Sequence, residues 1–291
     1  MLTYSILAGL LFGLYFGLVG LGLNLIFGVM RIVNLAHGDF IMLGAMMAVG
    51  LYGAYAINPV LAAAVSLLVF VAIGIPLYFA LVPRLLKSAD PEMRSIILFF
   101  GLSQFIEAVT TIVAGPSARS VPGDVLGAQP FHIGGNTFPA AWLGSAIGSA
   151  VVVALVFFYL YRTRLGRLTR AVMSQRDEAL ASGINVSRVS ALAFGIGLGV
   201  AAVAGAFAPL MLGSVTPAIG VSLTVVSFTV IIIGSLGSPL GTVLGGLIYG
   251  VALMVMQTYW SSWSGLLPYV LLIAILLVRP SGLLGRKVRH A

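Results

Sequence analysis

Charged and amide side chains stand out in this chain because the sequence around them is almost wholly apolar. The first group is Asn24, Asn34, His37 and Asp39, in the stretch NLIFGVMRIVNLAHGDF, which also carries Arg31. The second is Gln104 with Glu107, three residues apart and therefore on one helix face, with Thr111 four residues further on. A charge at the centre of a membrane costs about 2.5–3.5 kcal/mol on insertion scales, so such residues face protein or a water-filled cavity. Two readings fit the first group: a water-satisfied connection between helices, or the lining or gate of a translocation pathway. Two also fit Glu107: a buried, hydrogen-bonded carboxyl that fixes helix packing, or a pathway group. The pathway reading gathers Asn24, Asn34, His37, Asp39, Gln104 and Glu107 as candidate residues.

Covalent and metal chemistry find no support. There is no cysteine, which excludes disulfides, thiolate catalysis and cysteine metal sites. His37, His132 and His290 lie far apart, with no His-x-x-x-His spacing, so no metal site is expected. No Gly-Lys dipeptide occurs, and the phosphate-binding loop G-x-x-x-x-G-K-[ST] is absent. Gly197-x-Gly199-x-x-Ala202 sits inside an apolar span rather than after a strand, which rules out a dinucleotide fingerprint. No nucleophile–base pair is visible, so the chain reads as no enzyme and as holding no cofactor. If ATP is used, another chain must bind it.

A third polar feature is the basic segment 162–188. Residues 168–183 suit an amphipathic helix stopped by Gly183, a residue at ease in the left-handed backbone that ends helices. Arg176, Asp177 and Glu178 offer a charged rim, and Ala179, Leu180, Ala181 and Ile184 offer small or apolar anchors, ahead of Asn185. The segment is either a loop facing anionic lipid or a docking helix, for which apolar anchors within a polar rim are what is needed.

The elements that must position these residues follow from composition. The chain has 291 residues, 60% hydrophobic and only 8% charged, where a soluble domain carries about 25% charged residues. So few charges cannot cover a water-soluble surface, and disorder needs low hydrophobicity. The apolar runs are long and unbroken rather than alternating, which excludes a membrane β-barrel. The fold class is all-α: a polytopic transmembrane helical bundle. The 36 glycines are spread through the spans, as suits closely approaching membrane helices.

A helix needs about 20 apolar residues to cross the hydrocarbon core. Spans are expected at 4–30, 40–57, 60–82 (closed by Pro83), 95–114, 140–161, 189–212 and 265–278. The region 221–257 is broken by Gly234-Ser-Leu-Gly-Ser-Pro239 and reads as two shorter helices joined by a tight turn. That makes about 8–9 spans, some broken or re-entrant, in a single transmembrane domain covering 1–291, with loops at 115–139 and 162–188. The first nine residues lack a basic region and the apolar stretch runs to Met30, so this is a retained helix rather than a signal peptide. Alternating sides puts 14 of the 15 basic residues together and leaves only Arg119 opposite. The positive-inside rule then makes the N-terminus external and the C-terminus cytoplasmic; a re-entrant turn hidden in 4–30 would move the N-terminus inside. The net charge of +8 is thereby explained by cytoplasmic loops, without nucleic acid.

Several of these stretches together resemble one family. Arg164-Leu-Gly166-Arg167, Arg170-Ala171-Val172, Asp177-Glu178-Ala179 and Gly183-Ile184-Asn185-Val186 are similar to the cytoplasmic loop of branched-chain amino acid ABC importer permeases of the LivH type. Asn24-Leu-Ile-Phe27-Gly28-Val29-Met30-Arg31, followed by Asn34-Leu-Ala-His37-Gly38-Asp39-Phe40, resembles that family's N-terminal stretch, and Gly115-Pro116, Gly234-Ser-Leu-Gly237-Ser238, Gly241 and Gly245-Gly246 match as well. The resemblance implies a pore subunit of an ATP-driven importer in the bacterial inner membrane. Its partners would be two cytoplasmic ATPases that bind the ATP, a second permease, identical or homologous, and a periplasmic solute-binding protein. Residues 177–185 would be the helix that docks in the ATPase groove. The family often carries Lys-Ala-Phe where this chain has Val226-Ser227-Phe228, a departure that bears on the solute, since related permeases take urea, amides or other small carboxylates. A stand-alone secondary transporter or channel is the competing reading; it would need its own coupling acids at midplane, for which Glu107 is the one good candidate. An intramembrane enzyme would need a reactive pair that the sequence lacks.

Overall fold

The computed structural model describes residues 1–127 and 129–285. Along the chain run α1 (Leu2–Met30), α2 (His37–Tyr55), α3 (Pro59–Leu86), α4 (Pro91–Ala114), α5 (Ala140–Arg162), α6 (Arg164–Ser174), α7 (Arg176–Ala181), α8 (Val186–Leu212), α9 (Ile219–Gly234), α10 (Pro239–Tyr259) and α11 (Leu267–Val278). A 3₁₀ turn, Ser261–Leu266, leads into α11. Among the described residues eight helical segments are long and apolar enough to cross a membrane: α1 to α5, α8, α10 and Ser261–Val278. Helix α9 is apolar but only 16 residues long. The polytopic helical bundle expected from composition is therefore present, and 221–257 is indeed two helices around a turn.

Local chemistry sets many of the boundaries. Asn58, Asp90 and Ser238 each precede a proline and accept a hydrogen bond from a first-turn amide, from Val60 at 2.8 Å, Met93 at 3.1 Å and Gly241 at 3.2 Å. Asn185 caps α8 in the same way, from Arg188 N at 3.0 Å. Such caps satisfy donors that a helix start leaves open, and proline suits the first helical position.

Helices α1 and α8 form the centre and are buried along most of their length, while α3, α4, α5 and α11 leave most of theirs exposed. Without a hydrophobic drive between helices in lipid, close packing carries the association. Gly9, Gly13 and Gly17 of α1 meet Gly246 and Gly250 of α10 backbone to backbone; a Cβ on Gly13 would lie 2.6 Å from Leu247 Cα. At one end of the bundle, Tyr4 stacks on Phe138 at 5.0 Å and Arg119 bridges to Val215. At the other end lie the close of α1, the α9–α10 turn and α7, where Gly28 touches both Met173 and Gly237. There, Leu283 and Leu284 donate to Ile233 O and Gly234 O, at 2.9 and 3.2 Å, and close the open end of α9.

Two expectations need correction and two are filled in. Pro83 does not close the third span: α3 continues to Leu86, because a proline this near a helix end forfeits only one backbone bond. The loop 115–139 contains a hairpin, Phe131–Ile133 with Asn136–Phe138, turned by Gly134 and Gly135 at φ 55° and 77°, the left-handed pair that a two-residue hairpin turn requires. The single helix over 168–183 is instead α6 and α7, broken at Gln175 with φ −147°. The break follows the anchoring of both sides: Arg170 Nε donates to Leu160 O at 3.0 Å, while Arg176 Nη1 reaches the Val29 carbonyl of α1 at 3.3 Å. Finally, α1 is one unbroken 29-residue helix, as the single span over 4–30 predicts, rather than one with a re-entrant turn; the breaks lie ahead of α2 and α9. The basic residues Arg286, Lys287 and Arg289, and His290, lie outside the described residues.

Candidate functional site

Helix α1 stops at Arg31, whose φ of 53° turns the chain sharply. Residues 32–36 then climb back alongside α1 without helix. The height of the climb follows from His37, which donates from Nε2 to Val19 O at 3.2 Å. Val19 lies 11 residues before Met30, or about 16 Å along a helix rising 1.5 Å per residue. Six extended residues span about 20 Å, enough for this return. Helix α2 thus begins deep in the bundle, beside α9, with its first turn formed by His37, Gly38 and Asp39.

Bonds to α9 hold this start in place. Gly38 N donates to Thr224 Oγ1 at 2.9 Å, and Thr224 Oγ1 donates to Leu35 O at 3.0 Å. Gly38 lies against the Gly220 carbonyl and the Thr224 backbone so closely that no Cβ fits, and the Asp39 carboxylate occupies the space a Cβ on Gly220 would take. Non-helical backbone at membrane depth survives only where it is buried in protein or lines a cavity, and half-helices that start at such depth are a recurring way to build a solute or ion site.

Around this junction polar groups stay unpaired. Asn34, His37 and Asp39 are fully buried. Asn34 Oδ1 accepts from Ala36 N at 3.1 Å, leaving Nδ2 without a partner. His37 Nδ1 and both carboxylate oxygens of Asp39 likewise have no hydrogen-bond partner among the described residues. Ser103 and Glu107 of α4 face Asp39. Glu107 is half-buried, Ser103 buried and Gln104 exposed. The structure therefore brings together Asn34, His37, Asp39 and Glu107 of the sequence candidates. Gln104 points out of this junction.

Asn24 lies elsewhere. Its Nδ2 donates to Thr242 Oγ1 at 2.5 Å, Ser235 O at 3.3 Å and Ser238 O at 3.4 Å, which ties α1 to the α9–α10 turn. Gly38, Ser103, Gly220 and Thr224 belong to the junction but did not emerge from the sequence. Ser103 carried a legible signal, being four residues before Glu107 on one α4 face.

A second candidate surface is α7. Its end is a Schellman motif: Ile184 N donates to Ala179 O at 3.1 Å and Gly183 N to Leu180 O at 3.0 Å, with Gly183 at φ 78°. Ala179 is buried, Arg176 and Ile184 are half-buried, and Asp177, Glu178, Leu180, Ala181, Gly183 and Asn185 are exposed. Leu180 at 62% is an apolar side chain standing free on a charged rim. Arg176, Leu180 and residues 183–187 border a concavity of about 530 Å³. Arg176 and Met173 fasten this projection to the end of α1.

The family described as branched-chain amino acid transport system / permease component matches residues 5–276. The chain belongs to that family. It is 28% identical over 292 residues to the high-affinity branched-chain amino acid transport system permease protein LivH of Escherichia coli (strain K12), covering 96% of this chain and 94% of that protein. With the corresponding permease protein BraD of Pseudomonas aeruginosa the identity is 30% over the same shares. A probable LivH of Methanocaldococcus jannaschii is 28% identical over 92% of this chain and 88% of its own length. No solved structure matches the chain. The protein is a multi-pass membrane permease component, and its family is one of transport rather than of enzymes.

Proposed function

We propose that this chain is the pathway-forming permease of an ATP-driven importer of branched-chain amino acids or a closely related small polar solute. The relatives' names support the solute class, since all three reported above are branched-chain amino acid permeases. The observation that carries the ATP-driven reading is α7: an exposed, glycine-terminated helix with a free leucine on an acidic and basic rim, fastened to the end of α1. A transporter powered by its own ion gradient has no use for such a projection. In this reading α7 seats in a cytoplasmic ATPase, the ATPase holds the nucleotide, and this chain binds no cofactor and performs no catalysis. A second permease, identical or homologous, completes the path, and a periplasmic binding protein delivers solute at the Tyr4 and Arg119 end. The membrane is the bacterial inner membrane, with the N-terminus external and the C-terminus cytoplasmic, as the distribution of basic residues favours.

The test is uptake of L-leucine into proteoliposomes holding the permease pair, its ATPases and the binding protein. Uptake that needs internal or external ATP on the ATPase side supports the reading. Uptake that proceeds without ATPase and follows an ion gradient would make the chain a stand-alone transporter.

A further inference from the structure

Asp39 presents a physical problem that the fold alone does not solve. Its relative exposure is 0%, and neither carboxylate oxygen has a hydrogen-bond partner among the described residues. Ser103 and Glu107, four residues apart on one face of α4, both lie close enough to act on it, Ser103 through its hydroxyl and Glu107 through its charge. Two acids near each other at membrane depth repel, and no lysine or arginine is bonded to Asp39 there.

The fold nevertheless favours a negative charge at this point. Asp39 lies in the first turn of α2 and against Gly220 in the first turn of α9. Helix starts carry partial positive charge, and neither of these two is capped by a side chain, unlike α3, α4, α8 and α10. Two helix starts therefore steady the anion, while nothing on the chain neutralises the pair. Such an arrangement attracts a small cation that can also donate hydrogen bonds. Ser103 adds an acceptor of the right size beside it. The bare glycines at 38 and 220 let the two helices meet at the carboxylate rather than over it.

We propose that Asp39 and Glu107, with Ser103 beside them, form the subsite that takes the ammonium group of the transported solute. This rests on the importer reading above and narrows its solute class to primary amines, such as α-amino acids, over neutral amides and urea. Asn34 Nδ2, five residues before Asp39 in the sequence, is also buried and without a partner among the described residues. The remainder of the solute is then left to apolar walls, as a branched aliphatic side chain requires.

The experiment uses the complete assembly in proteoliposomes, with L-leucine as the probe. Asp39→Asn keeps shape and removes charge; Glu107→Gln does the same at the less buried position, and Glu107→Asp keeps the charge. Each neutral variant is expected to lower leucine uptake about ten- to a hundredfold, the range for losing one hydrogen bond to a charged group, with the ATPase still co-purifying. The double neutral variant should fall little below the worse single one, because both groups serve one ammonium. Glu107→Asp should retain most uptake. Wild-type uptake in both single neutral variants overturns the subsite and leaves the importer reading standing. Equal loss in Glu107→Asp and Glu107→Gln also overturns it, since shape rather than charge would then matter. If Asp39→Asn does not assemble, the two Glu107 variants decide. Leucine uptake by the wild-type assembly that proceeds without ATP hydrolysis refutes the importer reading itself, and the subsite with it.

Discussion

Replacing Gly183 should weaken the hold of the partner ATPase in an order set first by backbone strain and then by bulk. Gly183 sits at φ 78°, and no atom lies within 4 Å of the position its missing Cβ would take. Substitution therefore meets open space, and packing adds nothing to its cost. What remains is the left-handed backbone, which costs about 1–2 kcal/mol for an ordinary L-residue and less for Asn, whose short polar side chain bonds locally. Helix α7 has six residues and is closed by the bonds from Gly183 N and Ile184 N. So short a helix has little else to keep its shape, and the strain falls on α7 rather than on the bundle. At about 1.4 kcal/mol per tenfold, that strain weakens docking about 5- to 30-fold. Gly183→Asn should stay near wild type, Gly183→Ala should fall by that factor, and Gly183→Arg should fall further by placing a long charged chain in the docking surface. Titrating labelled ATPase onto the permease pair in nanodiscs reads all three. Equal affinity in the Asn, Ala and Arg variants would refute the docking role. A drop in the melting temperature of the whole bundle for Gly183→Ala would refute the claim that the strain is local.

Three further outcomes follow from the packing and the charges. Asn24→Ala removes the amide that binds Thr242, Ser235 and Ser238; a loss of about 1–3 kcal/mol is expected for acceptors left unpaired, seen as a lower melting temperature in detergent with solute preference unchanged. Gly13→Leu drives a side chain into the backbone of α10 at Leu247 and should abolish the yield of folded protein, whereas Gly50→Leu, with nothing within 4 Å, should express near wild type. The native chain has no cysteine, so Arg167→Cys and Asp124→Cys can be labelled singly; an impermeant thiol reagent should reach the first only in inverted vesicles and the second only in right-side-out ones, and labelling from the same side would overturn the topology.

The bundle was legible because hydrophobicity is a one-dimensional property: long apolar runs name the spans, and the glycine-proline break at 234–239 marks the α9–α10 turn. The amphipathic arc before Gly183 was legible too, since a left-handed stop needs glycine. The break at Gln175 was not, because it is imposed from outside, by Arg176 reaching Val29 of α1 some 147 residues away. The same holds for α2. Local sequence gave a span beginning near Phe40 and a polar connection before it, and either a surface turn or a buried gate suited that text. Only the contact between His37 and Val19 lifts the connection into the bundle. Thr224 and Gly220 escaped for the related reason that a threonine and a glycine in an apolar helix look like ordinary packing residues until α2 is laid across them.

Asn24 and Asp39 show where the polar-residue argument needs a second step. In sequence they are the same observation, a costly side chain in apolar surroundings. An amide buried without partners costs several kcal/mol, and one buried with partners costs little. Asn24 Nδ2 is shared among three acceptors on the α9–α10 turn, which locks α1 to that turn, while its Oδ1 has no partner among the described residues. Asp39 has no such bond, and what steadies it is diffuse: two helix starts that favour its charge without filling its lone pairs. A carboxylate left in that condition is poised to accept hydrogen bonds from something that arrives and leaves. Burial marks both residues as important, but Asn24 is bonded across to another element and the Asp39 carboxylate is not. That difference is why Asn24 is expected to act on stability, and why Asp39, with Glu107 on α4, is the pair proposed above to meet the solute.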